Sequence, residues 1–230
     1  SDLHAKIVGI TGSVGKTSTK EMVKLALAAH GKTYATTGNF NNHIGTPLNL
    51  ANLPVDAEFG VFEMGMNHAG EIGHLVEMVR PHVSVITNVE AVHLEFFKDV
   101  QAIADAKAEI FEHTAEDAVA VLPADNEFGE YLRKKAGALP VLTFGEKETA
   151  DVKLVSYEPK ARGAEIIATI AGQTLSFTIC AMGKHFAKTA LAALAVAQAF
   201  KLPLPKTAAA LADFKESEGR GKVLALTVAG

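Results

Sequence analysis

Short, uniformly apolar runs alternate with longer stretches of helical periodicity along most of the chain. The runs are KIVGIT at 6–11, EFGVFEM at 58–64, HVSVITNV at 82–89, AVAVL at 118–122 and LPVLTF at 139–144. That rhythm predicts βαβ units. Runs that stay apolar instead of alternating predict a parallel sheet covered by helices on both faces. Between them, Lys16 to Ala29 sets Met22, Val23, Leu25, Ala26 and Leu27 at helical spacing and stops at His30-Gly31, a basic residue followed by a glycine. Thr46-Pro47 reads as an N-cap with proline at the first helical position. From about 151 to 180 the pattern changes to closely spaced strand-like runs, KLVSY, AEIIATI and LSFTI, parted by turns around Gly163 and Gly172-Gln173. The prediction is an α/β fold with a P-loop-type, mostly parallel sheet flanked by helices and a small antiparallel β appendage. Helical composition returns from His185 to Phe200, Pro203 and Pro205 punctuate, and a last strand is expected over 222–228.

TGSVGKTS, residues 11–18, follows the first apolar strand and opens the first amphipathic helix, which is the context a phosphate-binding loop requires. The loop is Gly12, Ser13, Val14, Gly15, Lys16 and Thr17, with Ser18 just inside the helix. Glycines let the backbone fold around oxygen atoms, consecutive N–H groups point at phosphates, and the helix N-terminus adds partial positive charge. Lys16 is expected on the outer phosphates of ATP and the Thr17 hydroxyl on Mg²⁺. In the longer G-x-x-x-x-G-K-[ST] spacing a glycine would fall at position 10, which is Ile10 here, so this is a shorter variant. A glycine-rich strand-to-helix turn with an exposed lysine is the plainer alternative.

Composition narrows the partners. With 230 residues, 48% hydrophobic and 21% charged, the chain belongs among ordinary globular proteins and has length for one large α/β domain. A formal charge of -4 without any Lys/Arg-rich run argues against nucleic acid or an anionic membrane surface as the main partner and toward small molecules. One cysteine, Cys180, allows no intramolecular disulfide and suits a reducing cytoplasm. No apolar run reaches membrane-spanning length, and SDLHAK has no signal-peptide character.

Other residues carry chemistry by their placement. Glu63 ends an apolar strand, at the carboxyl edge where open α/β sheets gather ligands; it is either a solvated acid or a Mg²⁺ ligand. His93 lies just past the next strand and can project from the same rim, or be an ordinary surface histidine. Lys107 falls on the apolar stripe of Val100, Ile103, Ala104, Ile110 and Phe111. It either snorkels outward or is desolvated into a neutral, reactive amine. Asn39, Asn41 and Asn42 form a Gly/Asn-rich stretch that by itself reads as a turn before the Thr46-Pro47 helix.

Taken together, TGSVGKT, GNFNNHIGTP at 38–47, EMGMNHAGEI at 63–72, ITNVEAVHLE at 86–95 and DAKAEIFE at 105–112 resemble the Mur ligases of peptidoglycan synthesis. GNFNN and EMGMNHAGEI resemble the branch that joins D-Ala-D-Ala to a UDP-MurNAc-tripeptide, and set the chain apart from other Mur ligases and folylpolyglutamate synthases. The resemblance covers nearly all of residues 1–230, as the central ATPase domain of a longer protein whose UDP-binding and C-terminal domains are absent; the latter should begin after Gly219-Arg220-Gly221. It implies a monomeric bacterial cytoplasmic enzyme using ATP, two Mg²⁺ ions, UDP-MurNAc-peptide and D-Ala-D-Ala. It also implies Glu63 and His93 as metal ligands, a carbamylated Lys107 facing the metals, and substrate contacts from Asn39, Asn41 and Asn42. Asp125 in LPADN and Arg220 in GRG would sit near the nucleotide. In GKHFAKTALAA, from Gly183, Phe186 and Thr189 stand where the family commonly has adenine-contacting asparagines. A nucleotide-binding module without ligase activity of its own, and another amide ligase on the same fold, stay open. A GTPase or kinase is disfavoured, since neither NKxD nor an HRD-type loop occurs.

Overall fold

A computed structural model describes residues 4–38, 40–92 and 94–215. Its elements in chain order are β1 (Lys6–Thr11), α1 (Lys16–Ala28), β2 (Thr33–Ala35), α2 (Gly45–Ala51), β3 (Phe59–Glu63), α3 (Glu71–Val79), β4 (Val83–Ile86) and α4 (Val100–Ala108). There follow β5 (Val119–Pro123), α5 (Gly129–Lys135), β6 (Val141–Gly145), β7 (Val152–Lys160), β8 (Gly163–Ile170), β9 (Gln173–Ile179), α6 (Lys184–Ala199) and α7 (Leu204–Ala210). The strand expected over 222–228 lies outside the described residues.

The strands form one sheet in the order β2-β3-β1-β4-β5-β6-β7-β8-β9. Pairing is parallel from β2 through β7 and antiparallel for β7–β8 and β8–β9. The antiparallel strands expected near 151–180 therefore continue the main sheet, joined to it through Phe144–Val152 and Gly145–Lys153.

Neighbouring residues along a strand point to opposite faces, and both faces are buried here. Val8, Ile10, Val61, Val85 and Val121 pack with α1, α6 and α7. Ile7, Phe62, Ile86, Ala120 and Leu122 pack on the other side with α3, α4 and α5. This double coverage is why the strands read as uninterrupted apolar runs. Helix α6 is buried continuously from Ala190 to Ala197, so it is apolar all round and not striped. Among the described residues no helix is long and apolar enough to cross a membrane.

One local expectation is corrected. Thr46 does not cap α2: its Oγ1 is buried with no hydrogen-bond partner. Asn42 does the capping, its Oδ1 accepting the N–H groups of Ile44 (3.1 Å) and Gly45 (2.9 Å) while its carbonyl accepts Thr46 N–H. The short strand β2 was not legible in the sequence; three residues carry no periodicity.

Candidate functional site

The order β3-β1-β4 makes β1 the point where the connections diverge to either side, so a crevice opens at the carboxyl ends of these strands. Register brings Ile10 beside Glu63 and Thr11 beside Ile86, so the loop after β1, the acid ending β3 and the segment after β4 meet at one rim.

The loop from Gly12 to Gly15 turns directly from β1 into α1. Gly15 caps the helix with φ 78°, a left-handed conformation suited to glycine. Gly12 is required by close approach, since a Cβ there would lie 1.8 Å from Thr87 Oγ1. That hydroxyl donates to the Val14 carbonyl at 2.7 Å. Asn88 Oδ1 accepts Ser13 N–H (3.1 Å) and Val14 N–H (2.9 Å). Ser13 Oγ donates to the carbonyl of Glu90 and accepts its N–H. The first half of the loop is thus tied to the segment after β4, leaving Gly15, Thr17 and Ser18, at the start of α1, to present N–H groups that have no acceptor within the helix. Lys16 Nζ arches over the turn and donates to the Gly12 carbonyl at 2.8 Å.

Glu63 is 3% exposed. Its Oε1 accepts Asn41 Nδ2 at 2.9 Å, and its Oε2 is buried with no hydrogen-bond partner. A buried carboxylate oxygen without a donor is unfavourable unless a cation completes it, so this donor fits a hard divalent ion. Among the described residues no group of three or more His, Cys, Asp or Glu forms a metal cluster. His93, the expected companion ligand, lies outside the described residues, as do Asn39 and Arg220.

Lys107 is buried to 2% exposure, which settles its orientation against snorkelling. Burial first, and repulsion from Lys16 second, push its ammonium down to about 7. The amine on α4 and the ammonium of the phosphate loop are therefore close enough to feel each other's charge.

Beside the loop a cleft of about 790 Å³ is bounded by Val14, Gly15 and Ser18 at one end and by Phe144, His185 and Phe186 at the other. Asp125 lines it, but its carboxylate is engaged by the N–H groups of Glu146 and Lys147 and by Lys188 Nζ at 2.8 Å. Burial alone would raise this carboxyl; Lys188 and the two amides outweigh it and hold it below the usual range. Asp125 thus braces the turn after β6.

The structure brings together Gly12 to Ser18, Asn41, Glu63 and Lys107. Asn41 braces the acid, and Asn42 caps a helix. Sequence reasoning missed three organisers: Asn88, which holds the loop; Asn49, 4% exposed, whose Nδ2 donates to the carbonyls of Phe40 and Gly45; and Lys20, whose buried Nζ donates to the Thr36 carbonyl at 2.8 Å. The Asn directly after a strand at Thr87-Asn88 was the available signal for the first; Asn49 and Lys20 gave none.

The chain matches the family model described as the Mur ligase middle domain over residues 10–197. It is 36% identical over 223 residues to the UDP-N-acetylmuramoyl-tripeptide–D-alanyl-D-alanine ligase of Rickettsia prowazekii, covering 96% of this chain and 50% of that protein. For the Escherichia coli protein of the same description the identity is 34% over 217 residues, covering 94% and 48%. Among solved structures, MurF from Acinetobacter baumannii superposes with a TM-score of 0.90 at 32% identity, covering 94% of this chain and 48% of that one. MurF ligase from Thermotoga maritima in complex with ADP gives 0.85 at 29% identity, covering 95% and 50%. The chain spans about half the length of the curated relatives it matches.

Proposed function

Because this chain belongs to the Mur ligase family, through its middle domain, we propose that it is the ATP-binding core of a ligase that joins D-Ala-D-Ala to UDP-MurNAc-tripeptide. The observation that carries this reading is the convergence of the phosphate loop with a buried acid, Glu63, that keeps one oxygen without a partner. The ADP complex of the Thermotoga maritima relative supports a nucleotide at this crevice.

In the reaction the tripeptide carboxylate attacks the γ-phosphorus of ATP, the bond to the β-phosphate oxygen breaks, and ADP leaves. The amine of D-Ala-D-Ala then attacks the acyl phosphate, losing a proton as phosphate departs and the amide forms. Little covalent work falls to the protein. Lys16 exchanges the Gly12 carbonyl for the outer phosphates, and the amides of Gly15, Thr17 and Ser18 hold the polyphosphate. Glu63, steadied by Asn41, and the Thr17 hydroxyl would hold Mg²⁺, with His93 assigned by family resemblance. When bound, the ion neutralises charge on the transferring phosphoryl group.

A neutral Lys107 amine can add to CO₂ and release a proton to solvent, leaving a carbamate anion near Lys16 where the protonated form, disfavoured first by burial and second by that neighbour, would be a cation. By the resemblance, this anion would face the metal ions. Asn39, Asn42 and Arg220 are assigned to substrate and nucleotide by the resemblance, and the chain is taken as a cytoplasmic monomer on the same ground.

The test uses a polypeptide carrying this chain and the segments that complete the relatives' length. ADP release should require both UDP-MurNAc-tripeptide and D-Ala-D-Ala, and the product should be UDP-MurNAc-pentapeptide. Turnover with a folate substrate instead would reject the assignment. Because the chain spans half of its relatives, the 230 residues alone should bind nucleotide and make no pentapeptide.

A further inference from the structure

We propose that Glu109 is a positioning residue for the ligase reaction, an inference that rests on the function proposed above: its carboxylate locks the loop leaving Glu63 to the end of the helix that carries Lys107, and so sets the spacing of those two groups.

Helix α3 begins at Glu71 with Gly70 as its N-cap, at φ 86° and with no side-chain cap. The first N–H groups of a helix have no acceptor within it. In a capping box the N-cap side chain accepts the N–H of the third helical residue, whose own side chain accepts the N-cap N–H. Both of those positions are glycine here, Gly70 and Gly73. One carboxylate from another element makes both bonds instead: Glu109 Oε1 accepts Gly70 N–H at 2.7 Å and Oε2 accepts Gly73 N–H at 3.1 Å. Negative charge at a helix N-terminus is favourable. Gly73 permits the approach, since a Cβ there would crowd Glu112 Oε2 at 3.1 Å.

The loop between β3 and α3 is held along its length. Gly65 N–H donates to the Asn41 carbonyl at 2.8 Å, and the Asn41 side chain braces Glu63. Glu71 Oε2 accepts the N–H groups of Asn67 (2.7 Å) and His68 (3.1 Å). Glu109 fastens the far end. It begins the 3-10 turn Glu109–Phe111 directly after α4 and stands two residues beyond Lys107. Ala106, Lys107, Ala108 and Ile110 are all buried, so the backbone between clamp and amine is packed in place. A continuous set of contacts therefore runs from Glu63 through Asn41, Gly65 and the start of α3 to Glu109 and Lys107. This gives a physical reason for two sequence segments, EMGMNHAGEI and DAKAEIFE, to occur together. The phosphate loop is held separately, by Thr87 and Asn88, and does not depend on the clamp.

The experiment measures steady-state kinetics of the complete ligase as wild type, Glu109→Gln, Glu109→Ala and Asp99→Ala, with thermal melts on each. Glutamine keeps one acceptor oxygen but must turn its NH₂ toward a glycine N–H, so it breaks half of the clamp at nearly constant volume. Asp99 is the control: it caps the opposite end of α4, its Oδ1 accepting Ala102 N–H at 2.8 Å, and its loss costs a helix cap without touching the clamp. We expect kcat of Glu109→Gln to fall about tenfold or more, as when partners that orient metal ligands are disturbed. The KM for MgATP should stay within about twofold, and kcat of Asp99→Ala within about twofold of wild type. Folded Glu109→Gln and Glu109→Ala with turnover near wild type overturn the inference and leave the ligase reading intact. Equal losses in Asp99→Ala and the Glu109 variants, or a Glu109→Gln protein that does not fold, assign the carboxylate to stability alone and overturn it too. A complete wild-type protein that makes no pentapeptide overturns the ligase reading and this inference with it.

Discussion

Lys107→Met should raise the melting temperature of the chain near neutral pH and, in the complete ligase, abolish turnover. The amine is buried with its pKa lowered from 10.5 to about 7. Above 10.5 the lysine is neutral in both folded and unfolded chains and costs nothing. As pH falls from 10.5 toward 7, the unfolded chain takes up a proton that the folded chain refuses, so stability declines. Below 7 the full penalty of a buried ammonium is present. That penalty is on the order of several kcal/mol, which at about 2–4 °C per kcal/mol for a chain of this length corresponds to a gain of roughly 10–20 °C in the variant, less the packing change. Melts in CO₂-free buffer across this range check it: the wild type should gain on Lys107→Met from pH 7 upward. Parallel pH profiles would contradict the burial argument. With ¹³C-bicarbonate and Mg²⁺-nucleotide, a carbamate carbonyl resonance should appear in wild type and be absent from the variant.

The second large effect falls on Glu63→Gln. The amide preserves shape and can still accept from Asn41, but replaces the unpartnered carboxylate oxygen with an uncharged group that cannot draw a divalent cation. Disturbing the outer partners of metal ligands already costs about 10–100-fold, so turnover of the complete ligase should fall by about 10²-fold or more. The fold should remain, because no carboxylate partner is lost beyond the one the amide keeps. Folded Glu63→Gln with turnover near wild type would remove the acid from the metal site.

The parts of this molecule that were legible in its sequence are those where one local pattern coincides with one physical demand. Residues 6–11 read as a buried strand because Ile7 and Val8 face two different cores. The phosphate loop was visible because glycine, lysine and threonine must follow a strand in fixed order. Lys107 stood out because its spacing placed a cation on an apolar stripe, and its burial gives that oddity substance. Residues 173–179 also carried a clear sign, alternating exposed and buried positions because only one face of β9 is covered.

What escaped the sequence is tertiary. Asn88 organises Ser13 and Val14 across more than seventy residues, and Asn49 gathers the loop around Phe40 only once α2 is folded beside it. An isolated asparagine announces neither role. Thr46-Pro47 looked like a helix start, yet Asn42 reaches the free N–H groups first and the Thr46 hydroxyl is left buried. Asp125, expected near the nucleotide, does line the cleft; what the sequence did not show is that its carboxylate closes on the N–H groups of Glu146 and Lys147.

All of this depends on a polyphosphate seated where β1 turns into α1, gripped by N–H groups and the Lys16 ammonium. Titrating the folded chain with MgADP in a calorimeter, beside Lys16→Ala, measures that grip directly. The account predicts saturable one-to-one binding by wild type and loss of affinity by at least about tenfold, one charge-assisted hydrogen bond's worth, in Lys16→Ala. No heat of binding from wild type, or the same isotherm from both proteins, would contradict it.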